Sequence, residues 1–313
     1  MTVIEAIQKS ADFLGKKGIE SSRLQAELLL AHLLKLPRMK LYLNFERALT
    51  AAETDALREF VKRRGQREPL QHIAGSTSFC GFEIGVNRHA LIPRPETELL
   101  AEAGWQFLST RNSDKPRAGA QPLTALDFGT GTGCIAIALA AKCPAAQIVA
   151  VDVSVEALVL AKENAARNDV AERIEFVQSD GFAALENRWG ERPREPKATA
   201  NAGSPGVSPP QFDLIISNPP YLPSAEIATL QPEVRDFDPC AALDGGADGL
   251  DFYRKLAVES RPFLKPDGKL MLEFGDGQAG AIRTILETEK WIVEAVKDDY
   301  SQRERFLIAS LNP

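Results

Sequence analysis

The residues best suited to chemistry are Asn218-Pro219-Pro220-Tyr221, directly after the apolar run Phe212-Asp-Leu-Ile-Ile-Ser217. An amide or aromatic amino nitrogen is a poor nucleophile because its lone pair is delocalised. Two acceptors placed on its N–H groups orient that nitrogen and ease the charge that develops as it attacks. The Asn218 side-chain oxygen and the Pro219 carbonyl can supply the pair. The prolines, Pro219 and Pro220, stiffen the loop, and Tyr221 offers a flat face to a planar target group. The competing reading is a proline-rich turn without chemistry. Its position at the carboxyl end of a strand, where open α/β sheets bind ligands, weighs against that.

A second group of residues is suited to holding a nucleoside. Asp127-Phe-Gly129-Thr130-Gly131-Thr132-Gly133 ends an earlier strand, and glycines there let the backbone turn sharply and approach a ligand closely. The spacing is G-x-G-x-G. A dinucleotide fingerprint would place its third glycine where Cys134 stands. Asp152 lies 23 residues after Gly129 and ends the strand Ile148-Val-Ala-Val-Asp152. A carboxylate there can accept from both hydroxyls of a ribose. Alternatively it caps the next helix, a role Ser154 fills better. Ser179-Asp180-Gly181-Phe182 follows a third strand. Asp180 could accept from an adenine amino group with Phe182 against the ring, or the segment is a simple turn.

These loops need a scaffold, and the sequence outlines one. From Leu123 onward strands and helices alternate: strands near 124–128, 147–153, 174–178, 212–217 and 269–274, with helices near 133–142, 155–168, 249–264 and 278–289. Such alternation implies a parallel sheet covered by helices. Residues 291–296 and 305–310 read as two further strands that pair as a hairpin at the sheet edge. Before this unit the first 70 or so residues read as helical. Thr50 and Glu53 form a capping-box pattern, and Leu24, Leu28, Leu29, Ala31 and Leu33 suggest the apolar face of a helix over 22–36. The basic run Lys62-Arg63-Arg64 with Arg67 either complements that region's helix dipole or docks a partner. Phe79, Phe82, Ile84 and Val86 with Gly81 and Gly85 predict a β-hairpin, and a helix starts at Pro95. The division expected is a helical domain over 1–75, a hairpin linker over 76–92 and an α/β domain over 93–313. Residues 187–211, rich in proline and poor in apolar side chains, read as a flexible insertion.

Composition narrows the function. The 313 residues suggest two domains, with 44% hydrophobic and 26% charged residues, an ordinary globular balance. A net charge of −6 disfavours a surface built to grip nucleic acid phosphates. No apolar run reaches the ~18 residues of a membrane span, and no signal peptide is evident. Cys80, Cys134, Cys143 and Cys240 show no CxxC spacing, so no metal site or redox motif is indicated and reduced thiols in the cytoplasm are expected.

Taken together, the glycine loop and Asn-Pro-Pro-Tyr resemble methyltransferases that use S-adenosyl-L-methionine (AdoMet) on planar nitrogen. That group includes DNA adenine and protein glutamine methyltransferases. Further stretches resemble the HemK/PrmC family: Arg67 to Gly75, Leu91-Ile-Pro-Arg-Pro-Glu-Thr-Glu98, Asp238 to Leu250, and Glu273-Phe-Gly-Asp-Gly-Gln278. The resemblance covers nearly the whole chain. It implies a Rossmann-like class I AdoMet-dependent methyltransferase fold with a small helical N-terminal domain that holds the protein substrate. The implied reaction methylates the side-chain nitrogen, N5, of the glutamine in the Gly-Gly-Gln motif of peptide chain release factors, in the cytoplasm, with no nucleic acid or membrane required. It implies that Gly129, Thr130, Gly131, Thr132 and Gly133 surround the methionine part of AdoMet and that Asp152 takes the ribose. Asp180, Gly181 and Phe182 would lie at the adenine. Asn218, Pro219, Pro220 and Tyr221 would hold the glutamine, with Asn218 also beside the cofactor. The position of Gly181 is often aromatic in that family, Asp238 stands where Glu is common, and the 187–211 insertion is unusually long. No general base is required, because the sulfonium is a strong leaving group. His32, His72 and His89 are therefore given no role, the last two being placed outside the Rossmann-like unit. The alternatives are a ribosomal protein glutamine methyltransferase, a nucleic acid amino-methyltransferase and a non-catalytic AdoMet-binding scaffold.

Overall fold

A computed structural model describes residues 1–113, 122–185 and 211–312, the side chains of 112 and 113 excepted. The expected insertion, Gln211 apart, lies outside the described residues, as does most of the link 109–121. In chain order the first elements are α1 (Val3–Lys16), α2 (Ser22–Leu34), α3 (Arg38–Leu43), α4 (Ala51–Gly65), α5 (Leu70–Ala74), β1 (Ser76–Phe79), β2 (Phe82–Gly85) and α6 (Pro95–Ser113). Then come β3 (Leu123–Phe128), α7 (Cys134–Lys142), β4 (Ala146–Asp152), α8 (Val155–Arg167), β5 (Ile174–Gln178) and β6 (Phe212–Ser217). The remainder are α9 (Pro232–Arg235), α10 (Asp251–Glu259), β7 (Leu264–Glu273), α11 (Ala279–Thr288), β8 (Trp291–Asp298) and β9 (Glu304–Leu311).

One compact unit comprises Met1–Thr77, Val86–Arg88 and Leu230–Asp238. Thr2 and Thr50 each start a helix with a full capping box, and Thr50 exchanges bonds of 2.9 and 3.1 Å with Glu53. Its core is aliphatic, with Leu14, Leu29, Leu30, Leu41 and Leu57 buried. The apolar face of α2 differs from the expected one: Leu24 is 40% exposed, while Ala26, Glu27 and Leu30 are buried. Three consecutive leucines, 28 to 30, leave the helical period ambiguous, and Glu27 is admitted because Arg23, Arg38 and Tyr42 satisfy it. The basic run is largely absorbed: Arg63 pairs with Glu68, and Arg64 and Arg67 both reach Glu233.

The other unit carries a seven-stranded sheet in the order β5-β4-β3-β6-β7-β9-β8. The pairs from β5 to β7 are parallel, and β9 runs antiparallel between β7 and β8. The terminal hairpin is thus at the edge expected. Neighbouring strand residues face opposite layers. Ala125, Ile148 and Leu214 meet α6 and α7, whereas Leu126, Val149 and Ile215 join the layer of α10 and α11. Burial on both faces explains why these strands read as continuous apolar runs. Strand order reverses direction between β3 and β6, so the carboxyl ends of these two strands flank the switch point where such sheets bind ligands.

Candidate active site

A cavity of about 270 Å³ opens at those carboxyl ends, close to the lower end of small-molecule sites, about 300–1,000 Å³. Its lining joins the β3 loop (Gly129 to Thr132), Asp152, Asp180 and Gly181, and Asn218 to Pro220. These residues come from four strand ends, which no local pattern brings together.

The glycine loop is shaped by its own backbone. Gly129 and Thr130 both donate to the Val151 carbonyl at 2.9 Å. Gly129 has φ +72°, and an added Cβ would meet nothing within 4 Å, so the chain is bare toward open space there. Gly133, at φ +81°, does not line the cavity. An added Cβ would stand 3.0 Å from the Ala161 Cβ, so this glycine serves close packing of the loop on α8. Beneath the loop, Asp127 accepts from Thr130 Oγ1 at 2.6 Å and from the Ala136 amide at 3.1 Å. Burial pushes its carboxyl up to about 7 against those bonds, and the charge of Asp152 adds to the rise.

Asp152 Oδ2 accepts from the Gly131 amide at 2.8 Å and Oδ1 from the Ser154 amide at 2.9 Å. Ser154 itself caps α8 through the Ala157 amide, 3.1 Å. Each carboxylate oxygen retains a lone pair for a diol. The bare backbone at Gly129 and this oriented carboxylate fit the nucleoside cofactor implied by the resemblance.

Asn218 follows β6, whose last residue, Ser217, donates to the Phe128 carbonyl at 2.6 Å and ties the two loops. Asn218 Nδ2 donates to Thr97 Oγ1 at 3.1 Å. Tyr221 is not part of the cavity lining. Its ring lies beside Gly275, where an added Cβ would be 3.1 Å from Cδ2, and its carbonyl accepts from Gln278 Nε2 at 2.9 Å.

Beyond Gly133 and Tyr221, two further expectations need correction. Phe182 does not face an adenine site. It is 2% exposed and stacked between Phe128 and Phe263, with centroids 5.2 and 4.8 Å away, because a large apolar ring gains more in the core. His89, placed outside the Rossmann-like unit, lines the cavity with Ala90, Leu91 and Arg94. Sequence reasoning also missed Lys255 and Phe252. Lys255 pairs with Asp180 at 3.0 Å, and its Cε would lie 2.7 Å from a Cβ added at Gly181. The only local signal was that α10 follows a glycine-rich segment.

Fold and site together define a class I methyltransferase. The catalytic domain of hMettl16, solved in complex with a MAT2A 3′UTR hairpin, shares the fold at 15% identity with a TM-score of 0.50, covering 84% of this chain and 82% of that one. Family models match at residues 5–75, "PrmC N-terminal domain", and at 114–190, "Methyltransferase small domain". The release factor glutamine methyltransferase of Geobacter sulfurreducens is 40% identical, over 90% of this chain and 87% of its own length. That of Chlorobaculum tepidum is 40% identical over 98% and 96%. The chain belongs to the release factor glutamine methyltransferase family, the PrmC family.

Proposed function

We propose that this protein methylates the side-chain amide nitrogen of the Gly-Gly-Gln glutamine in peptide chain release factors, with AdoMet as donor. The observation that carries the reading is Asn218 in the cavity lining at the end of β6, its Nδ2 held by Thr97, which leaves Oδ1 for an acceptor nitrogen. Such a substrate places the reaction in the cytoplasm. Among the described residues, no helix is long and apolar enough to cross a membrane.

When bound, AdoMet supplies a methyl group activated by a sulfonium. Gly129, Thr130 and Gly131 would border its methionine part, the two glycines with bare backbone, and Asp152 would accept from the ribose hydroxyls. Asp180 would lie at the adenine end, and Phe252 lines the same cavity. Asn218 Oδ1 and the Pro219 carbonyl accept from the two amide hydrogens of the glutamine. This orients the nitrogen and stabilises the positive charge it develops. Pro220 and Tyr221 hold the loop in shape, the latter through Gln278. No side chain need remove a proton beforehand, because the methylated nitrogen becomes acidic and sheds its proton to water.

The test is methyl incorporation from labelled AdoMet into purified release factor, ribosomal proteins and DNA. Incorporation into the release factor, mapped to the glutamine by mass spectrometry, is expected. Labelling of ribosomal protein or DNA instead would overturn the substrate assignment.

A further inference from the structure

A buried line of side chains leads from Asn218 into the protein. Asn218 Nδ2 donates to Thr97 Oγ1. Thr97, in the first turn of α6, is 3% exposed, and its side chain hydrogen-bonds the carboxylate of Glu273 at the end of β7. Glu273 is 1% exposed, and its Oε2 has no hydrogen-bond partner among the described residues.

Proton counting gives this line a direction. A threonine hydroxyl has one proton, and a carboxylate only accepts. Thr97 must therefore give its proton to Glu273 and can only accept from Asn218. The two ends of an asparagine amide are nearly equal in size, so packing alone does not choose between them. The accepting hydroxyl does choose: it takes the NH₂ end. We propose that Thr97 and Glu273 are positioning residues that fix the polarity of the Asn218 amide, so that oxygen rather than NH₂ meets the substrate nitrogen. The inference rests on the reading of Asn218 given above. With the amide reversed, donor would face donor and the acceptor pair would be lost.

Ionisation of Glu273 should switch this polarity. Burial pushes the carboxyl up to about 7, opposed by the bond from Thr97 and the charge of Arg305, while Glu96 pushes it further up and Arg94 down. Tyr253 donates to the Glu273 main-chain carbonyl at 2.7 Å, and the Glu273 charge also acts on Tyr221; burial raises both phenols, so both stay neutral. Protonated Glu273 can donate to Thr97, whose own proton then turns to Asn218 and favours the reversed amide. Turnover should therefore rise with pH through about 7.

The experiment uses the full chain with Thr97→Val, Thr97→Ser and Glu273→Gln, each checked for folding by circular dichroism. Thr97→Val is expected to lower kcat on the release factor about 10–100-fold, by analogy with the loss on removing a partner that orients a metal ligand, with AdoMet affinity unchanged by calorimetry. Thr97→Ser should restore most of it, and Glu273→Gln should flatten the rise of kcat around neutral pH. A readout without substrate is hydrogen exchange of the Asn218 side-chain amide, identified by NMR from its absence in Asn218→Asp. Slow exchange is expected in the wild type and fast exchange in Thr97→Val. Wild-type kcat in Thr97→Val, failure of Thr97→Ser to recover, or an unchanged pH profile in Glu273→Gln would overturn the inference. A wild-type protein that leaves the release factor unmethylated would sink the function reading. Fast exchange of the wild-type Asn218 amide would sink the relay alone.

Discussion

Carboxylates drawn wholly or partly out of water are handled differently in the two units of the chain. In the helical unit, Glu233 receives Arg64 and Arg67, both at 2.8 Å. Burial alone would raise its carboxyl, but the Arg64 hydrogen bond, a hydrogen bond from its own backbone amide and the two arginine charges outweigh that and hold it below its usual range. Glu27 behaves likewise: burial opposes, and Tyr42, Arg38 and Arg23 bring it down. In the α/β unit, Asp127 and Glu273 each keep one oxygen without a hydrogen-bond partner among the described residues, and burial pushes both up to about 7. An unsatisfied buried polar atom costs about 1–3 kcal/mol. The first pair of carboxylates acts as struts closed by cations. The second pair holds neighbours in place for the site, Asp127 the glycine loop and Glu273 the Thr97 hydroxyl. Violations of local satisfaction are expected where function needs them.

The largest expected effect strikes the struts. Glu233→Ala leaves Arg64, 7% exposed, with only neutral acceptors, and stability should fall by about 3–5 kcal/mol. Urea unfolding measures it, and an unchanged midpoint would mean that the pair is not a strut. Next, Asn218→Ala should slow methyl transfer by about 10²–10³-fold, as for loss of one preorganised polar contact, while calorimetry shows AdoMet binding intact. Full turnover in that variant would remove the acceptor-pair mechanism. Asp152→Ala should act on the other side of the cavity. It should weaken AdoMet by about 1.5–3 kcal/mol, the worth of a hydrogen bond to a charged group, and unchanged affinity would refute the ribose assignment.

The smallest effect separates the two kinds of carboxylate by sign. Asp127 and Glu273 have folded values near 7, above their unfolded ones, so between about pH 4 and 7 the native state holds extra protons. Stability from these groups therefore falls as pH rises through that window. Glu233, with its value depressed, contributes stability above its ordinary value of 4.5 and loses it as pH falls further. Asp127→Asn should reduce the drop in Tm between pH 5 and 8. An unaltered drop would assign the pH dependence to other groups.

Much of the site was legible because its pieces are local. G-x-G-x-G, Asp152 at a strand end and Asn-Pro-Pro-Tyr after β6 are each short runs whose backbone demands are written in adjacent residues. All three line the cavity in part. The capping box at Thr50 and the hairpin with Cys80 and Gly81 at φ +51° and +84° were legible for the same reason. The illegible parts concern which face a side chain takes. Phe182 goes to the core, Tyr221 lies against Gly275, and Leu24 stays exposed, because neighbours distant in sequence decide those directions.

By itself, then, the sequence determined the order of strands and helices, the glycines that a bare loop requires, and the residue types able to hold a nucleoside and a planar amide. Such features depend on periodicity, steric freedom and hydrogen-bonding capacity within a few residues. Only the tertiary structure decided the pairings. Thr97 meets Asn218 across 121 residues and Arg64 meets Glu233 across 169. Lys255 covers Gly181, and His89 joins the cavity. A hydroxyl or carboxylate carries no mark of its partner along the chain. Whether it becomes a strut, a positioning group or a solvated surface charge depends on what the folded sheet and helices bring within hydrogen-bonding distance and how far they exclude water.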